Sequence, residues 1–223
     1  MSADIESVTA SARRFLETIP PHVILVAAAK GRSVDEVEAV LKAGVTHVGH
    51  NYVQEAQPII DALGPRATWH MIGHLQRNKA KRAVELFDLI DTVDSLRLAK
   101  ILDRHGASLG KTMQVMVEVN SGREASKAGV MPEDLESLVR SLSKLSRIRV
   151  LGLMTMGPSF GDPEYARAYF KETREALFRI SGMNLPNITM RYLSMGMSNS
   201  FQVAIEEGAN VVRIGTKLFG PRL

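Results

Sequence analysis

The 223-residue chain contains no cysteine. That excludes thiol catalysis, disulfide staples, thiolate zinc sites and cysteine-ligated iron–sulfur clusters. Aromatic residues are scarce: one Trp, seven Phe and four Tyr, a poor supply for a surface that stacks nucleic-acid bases. The excess of one charge is small. Lys and Arg number 28 against 24 Asp and Glu, a formal net charge of +4 with a pI near 9.4. Such an excess suits an anionic small ligand, such as a phosphate ester, as readily as nucleic acid. No apolar run approaches the ~20 residues of a transmembrane helix. The first turns carry Asp4, Glu6, Arg13, Arg14 and Glu17 in place of an apolar signal core, so a cytoplasmic location is expected. The apolar share of 45% and charged share of 23% are those of an ordinary globular domain that needs no staple.

What is present is a regular alternation. Apolar runs predict strands over residues 23–29, 47–49, 68–72, 89–93, 113–119, 148–154, 190–193 and 211–214. The first, VILVAAA, is continuous, as in a strand buried on both faces. Between them lie helical patterns. An amphipathic lead-in over 5–16 precedes Pro20-Pro21. Ser33 and Glu36 form a capping box for a helix that stops at Gly44. Further helices are expected over 53–63, with Pro58 inside it, and over 79–87. Asp94 is read as the cap of a helix to Arg104 that stops at Gly106. Pro132 opens one to Leu145, Pro163 opens one to Ile180, and a last one covers 199–207 before Gly208. Residues 218–222 form a short tail.

Eight βα units predict a single-domain (β/α)₈ TIM barrel over residues 1–223, with an extra N-terminal helix. The doubly wound alternative usually stops at about five or six strands. A barrel places its active site at the C-terminal strand ends. Lys30 stands directly after the first buried strand, where partial desolvation would lower its pKa and supply a free amine for attack on a carbonyl. The plainer reading is a lysine snorkelling from the barrel mouth. The loops after strands seven and eight are SMGMS (Ser194 to Ser198) and IGT (Ile214 to Thr216). Both offer Gly, hydroxyls and free N–H groups, which a phosphate dianion needs. Alternatively, Ser198 only caps a helix and Gly215 only serves a turn. Arg213 lies inside the last strand. It is read either as an ion-pair partner of Glu118 or, over a pyridine cofactor, as a permanent cation that opposes ring protonation.

These segments resemble the pyridoxal phosphate (PLP) homeostasis protein family. The matching stretches include AAAK with Lys30, GHNYVQE from Gly49, WHMIGHLQRNK from Trp69, DTVDS from Asp91, VNSGREASKAGV from Val119, GLMTMG from Gly152, LSMGMS from Leu193 and VRIGTKLFG from Val212. The resemblance implies a fold-type III barrel, similar to that of alanine racemase, with PLP held as a Schiff base on Lys30. It implies phosphate contacts from Ser194, Met195, Ser198, Gly215 and Thr216, Arg213 toward the pyridine nitrogen, and Asn51 near the ring. It implies a carrier or buffer of PLP without robust turnover, with apo PLP-dependent enzymes as recipients. Three places depart from the family pattern. His50 replaces Glu and could alter the charge beside the cofactor, Arg77 replaces Ser, and Gly31-Arg32-Ser33 replaces Thr-Lys-Pro.

Rival readings are weaker. A PLP racemase needs two bases, and the second domain that supplies one in the racemases is not expected after the last βα unit, which runs to Leu223. A metal hydrolase built on His50, His70 and His74 lacks the acid of H-E-x-x-H, because Met71 fills that place. His70 also falls inside a strand, where a packed imidazole is expected. Lys79, Lys81 and Arg82 read as a solvated helix face, not a nucleic-acid site. No membrane association is expected, and a short barrel is expected to be monomeric.

Overall fold

A computed structural model describes residues 4–158 and 161–221. The strands are β1 (Ile24–Ala28), β2 (His47–His50), β3 (Thr68–Met71), β4 (Leu89–Val93), β5 (Met113–Val119), β6 (Ile148–Thr155), β7 (Ile188–Ser194) and β8 (Val211–Ile214). They are parallel and close in sequence order, with β8 returning to β1 through pairs such as Val26 with Arg213. The expected barrel is therefore present. The helices are α1 (Ile5–Thr18), α2 (Val34–Lys42), α3 (Val53–Leu63), α4 (Ala80–Leu86), α5 (Leu96–Leu109), α6 (Leu135–Leu142), α7 (Arg167–Ser181), α8 (Phe201–Glu206) and α9 (Thr216–Phe219). None of the described helices is long and apolar enough to cross a membrane.

Local chemistry explains several boundaries that differ from expectation. Ser95, not Asp94, caps α5, its hydroxyl accepting from the Leu98 N–H; Asp94 faces His74 at 3.7 Å instead. The helix passes through Gly106, where a Cβ would press on the Lys111 carbonyl at 2.7 Å. It ends at Gly110, which is left-handed at φ 65°. Pro132 sits in a turn before α6, and Pro163 opens a 3-10 turn (Pro163–Ala166) that leads into α7. α8 begins two residues later than expected, and the short tail is a helical turn that starts at Thr216; Arg222 lies outside the described residues. Pro58 is accommodated within α3. The capping box at Ser33 forms as read.

Alternating side chains give the barrel two apolar compartments. Leu25, Ala27, Val48, Trp69 and Met71 belong to the large core between strands and helices. α1 joins this layer through Val8, Ala12 and Phe15, and Phe15 meets Phe201 at 5.0 Å between ring centroids. The lumen holds two small clusters, one around Val26, Ile72 and Val211 and one around Leu89, Met116 and Met154. It is not wholly apolar. His70, Asp91, Glu118 and Arg213 are buried at strand positions that alternation turns inward.

Candidate functional site

The end of β1 is a tight turn. Arg32 donates its N–H to the Ala29 carbonyl at 3.1 Å, and Gly31 makes the reversal at φ 68°. The Gly31 N–H is held by Glu55 Oε2 at 3.2 Å. Alternation along β1 directs Lys30 to the lumen side, and its side chain is half-buried. Its Nζ lies 5.2 Å from the centroid of the Tyr52 ring. No carboxylate lies within ion-pair distance of it among the described residues. The amine is therefore available to a ligand.

Lys30 opens into a cleft of ≈ 240 Å³ lined by Ala28, Lys30, Arg32, Asn51, Gly215 and Thr216. Three neighbouring strand ends supply these residues: β8, β1 and β2. At Gly215 a Cβ would come within 3.3 Å of the Ala28 carbonyl, so glycine brings the β8 loop against the β1 end. The Leu218 and Phe219 N–H groups donate back to the Gly215 carbonyl. Among the described residues the Thr216 and Lys217 N–H groups at the head of α9 have no acceptor, which leaves them for a ligand. Gly73 does similar work from β3, because a Cβ there would collide with the Asn51 backbone. No sequence signal marks Arg32 as part of the cleft. It is the residue that ties the cleft to the C-terminal turn, donating to Glu36 (3.0 Å) and to the Phe219 (3.2 Å) and Gly220 (2.7 Å) carbonyls.

The other expected site residues sit beside or beneath this cleft. Arg213 is buried in the lumen, where Nη1 donates to Ser194 Oγ (2.6 Å) and Nη2 to the Thr155 carbonyl (2.9 Å). It makes no ion pair within 4 Å with Glu118, which corrects the simplest reading of the strand charge. Two donors of its five-donor guanidinium are engaged in these bonds. Ser194 is thus an acceptor for Arg213. Met195 has turned to the outer core, and its N–H donates to the Val211 carbonyl at 3.1 Å, so neither group reaches the cleft. Ser198 is half-buried in the β7–α8 turn. It does not cap α8, whose cap position is Ser200.

Two departures from the family pattern also find their places. Gly49 faces the lumen, where a Cβ would meet Ile72 and Val26 at 2.7 and 3.0 Å. The adjacent His50 therefore points to the helix layer. It stacks on Trp69 at 6.0 Å, whose ring N–H donates to the Gly64 carbonyl. His50 does not lie beside the cleft, contrary to expectation, and burial pushes its pKa down to about 4. Arg77 is exposed and lines a separate cavity of ≈ 570 Å³ with Arg97, Asp94 and His74. That cavity is larger than the lysine cleft, but its lining carries no amine facing a glycine-rich strand end. Of the histidines proposed as metal ligands, His70 is a core imidazole, as expected. Its Nδ1 is 3.0 Å from Asp91 Oδ1 and its Nε2 is 2.9 Å from His47 Nδ1. No group of three or more metal-binding side chains occurs among the described residues.

A closed parallel barrel with an amine at the end of its first strand and glycine loops at the end of its last is a barrel of the alanine racemase type. The family described as "Alanine racemase, N-terminal domain" matches residues 4–222, and a Clostridium difficile alanine racemase shares the fold at TM-score 0.84 and 16% identity, with 99% of this chain covering 58% of that one. The chain belongs more closely to the pyridoxal phosphate homeostasis protein family. The Aquifex aeolicus protein of that name is 39% identical over 92% of this chain and 84% of its own length. PipY of Synechococcus elongatus superposes at TM-score 0.90 without PLP and 0.87 with PLP bound. The identities are 35% and 34%, covering 96% of this chain and all of PipY.

Proposed function

We propose that this chain binds pyridoxal 5'-phosphate as a Schiff base on Lys30 and takes part in PLP homeostasis in the cytoplasm. In this role it holds or buffers the cofactor and passes it to apo PLP-dependent enzymes. The carrying observation is the unpaired Lys30 amine in a cleft whose opposite wall is Gly215, Thr216 and the head of α9. That donor set fits the group. An amine suits its aldehyde, and backbone N–H groups with a hydroxyl suit its phosphate. PipY, described with PLP bound, supports the same reading.

When bound, PLP supplies an electron sink for bonds at an amino-acid Cα. The residues of this chain restrain that chemistry. Arg213 is a permanent cation assigned to the ring nitrogen, and it opposes protonation there. Ser194 and the Thr155 carbonyl fix its direction. Asn51 closes the β2 side of the cleft, and Arg32 holds the C-terminal turn in place beneath it. The Ser194–Ser198 loop supports the phosphate end, with Met195 acting through its packing. Racemisation needs bases on both faces of the substrate. Among the described residues lining the cleft, Lys30 is the single titratable base, which favours holding over turnover.

Borohydride trapping followed by mass spectrometry tests the assignment. The adduct is expected on Lys30 and is expected to vanish in Lys30→Ala. A full adduct at Lys127 or Lys217 would overturn it. Incubation of the loaded protein with L-alanine in deuterated water is expected to give no Cα exchange at catalytic rates.

A further inference from the structure

The lumen beneath the cleft carries more charge than an apolar barrel filling needs. Arg213 on β8 is buried, and both of its hydrogen-bonded partners are neutral oxygens. Its compensating charges come from Asp91 on β4 and Glu118 on β5. Those two carboxylates are not equivalent. Asp91 is already committed to His70, which lies 3.0 and 3.3 Å from its two oxygens. With both rings neutral and the Asp91 carboxylate as acceptor, the hydrogens have one consistent arrangement. His70 donates from Nδ1 to Asp91 and accepts at Nε2 from His47 Nδ1. Asp91 is thereby anchored toward the floor of the barrel, where His47 borders a small cavity of ≈ 40 Å³ with Tyr192 and Gln114. Glu118 has no such anchor. Its side chain is buried, and Oε2 has no hydrogen-bond partner among the described residues.

A buried carboxyl oxygen without a partner is rare, and it invites a specific reason. Here it shares the lumen with a guanidinium that keeps uncommitted N–H donors. We propose that Glu118 is a positioning residue of the cofactor site, whose carboxyl offsets the charge and sets the direction of the Arg213 guanidinium and so the field felt by the ring nitrogen of bound PLP. This inference rests on the proposed PLP site, and it assigns to that site a residue on a strand that contributes nothing to the cleft wall.

The surroundings decide how Glu118 behaves. The charged and titratable groups facing it are Arg213 from β8, Asp91 from β4 and Asp94 from the loop after β4, with His70 and His47 behind Asp91. Burial pushes the Glu118 carboxyl up to about 7; Arg213 opposes the rise, and Asp94 and Asp91 add to it. Near neutral pH the acid therefore exchanges a proton. The ionised form draws the guanidinium toward β5, and the protonated form leaves it on Ser194 and Thr155.

Two measurements on the full chain test this. The first uses the cofactor-free protein and follows the buried carboxyl by infrared difference spectroscopy across pH. A carboxyl band that titrates near neutrality in the wild type and is lost in Glu118→Gln is expected. A band that titrates only in the ordinary carboxylate range would overturn the proposal, even if the variant failed to fold. The second uses PLP-loaded protein. Its visible absorbance is expected to shift with pH near neutrality in the wild type and to lose that shift in Glu118→Gln. Glu118→Asp is expected to retain it with a displaced midpoint. An unchanged pH profile in a folded Glu118→Gln would overturn the role. Borohydride trapping on the same samples separates the two levels. Loss of the Lys30 adduct in the wild type refutes the PLP site, whereas a wild-type adduct with an unaltered Glu118→Gln profile refutes only the Glu118 assignment.

Discussion

His50 offers the sharpest test of the packing. Its ring is fully buried against Trp69, and neither ring nitrogen has a hydrogen-bond partner among the described residues. Burial lowers its pKa from 6.5 to about 4. The unfolded chain therefore takes up the proton first as pH falls. The His50 contribution is fully present above pH 6.5 and is lost progressively as pH falls toward 4. At 1.36 kcal/mol per pH unit the complete loss is about 3 kcal/mol, and about 2 kcal/mol of it has gone by pH 5. Glu118 runs the other way. Its folded pKa is raised from 4.5 to about 7, so the folded chain binds the proton first and gains about 3 kcal/mol as pH falls from 7 to 4.5. His47, also lowered to about 4 by burial and by the neighbouring His70, adds a second slope of the His50 sign, so the wild-type profile between pH 7 and 5 is a sum of opposed contributions that hides that of His50. His50→Leu removes one of them. It keeps a similar volume and deletes two unpartnered polar atoms, each worth roughly 1–3 kcal/mol when buried. The variant is expected to gain about 2 kcal/mol more over the wild type at pH 5 than at pH 7. Urea unfolding at both pH values, with the slope m unchanged, reads this directly. An equal difference at the two pH values would refute the account of a buried, neutral ring.

Other perturbations probe the cleft and its supports. Lys30→Ala should leave the unfolding free energy from urea titration within about 0.5 kcal/mol of the wild type, as for substitutions away from packed features, while the trapped adduct is lost; a collapse of the fold would make Lys30 structural. Ser194→Ala removes the acceptor of the 2.6 Å bond from buried Arg213 and should cost about 1.5–3 kcal/mol in chemical unfolding, together with weaker PLP retention on dialysis. Gly73→Ala drives a Cβ into the Asn51 backbone. A destabilisation of about 1–3 kcal/mol is expected, with a slower return of the visible chromophore when PLP is added back. Arg32→Ala frees the Phe219 and Gly220 carbonyls; hydrogen exchange at the last turn should accelerate more than exchange in β4 or β5.

Periodicity and end signals were enough to read the barrel, because the strands of a parallel barrel are covered on both faces and read as mostly apolar runs, and each helix must begin and stop within a few residues. The capping box at Ser33 and the run from Val23 to Ala29 are local facts, legible one segment at a time. Lys30, Gly215 and Thr216 were legible for the same reason, since barrel topology brings strand ends to one rim. Signals that depend on competition between neighbours are not decided locally. Asp94 and Ser95 can both cap a helix, and His74 takes the first. Gly106 and Gly110 can both end one, and only Gly110 is free to turn left-handed. The direction of a side chain at or just past a strand end was also hidden. His50 belongs to the outer layer because Gly49 must face Ile72, and Met195 belongs there because Ser194 must face Arg213. Local patterning is sufficient for the number of units, their order and the amine at the first strand end. Only closure of the barrel decided which charges share the lumen. Arg213, Asp91 and Glu118 are widely separated along the chain, and they meet because the ring of strands turns their alternate positions to a common interior, where low polarity makes each of them felt by the others.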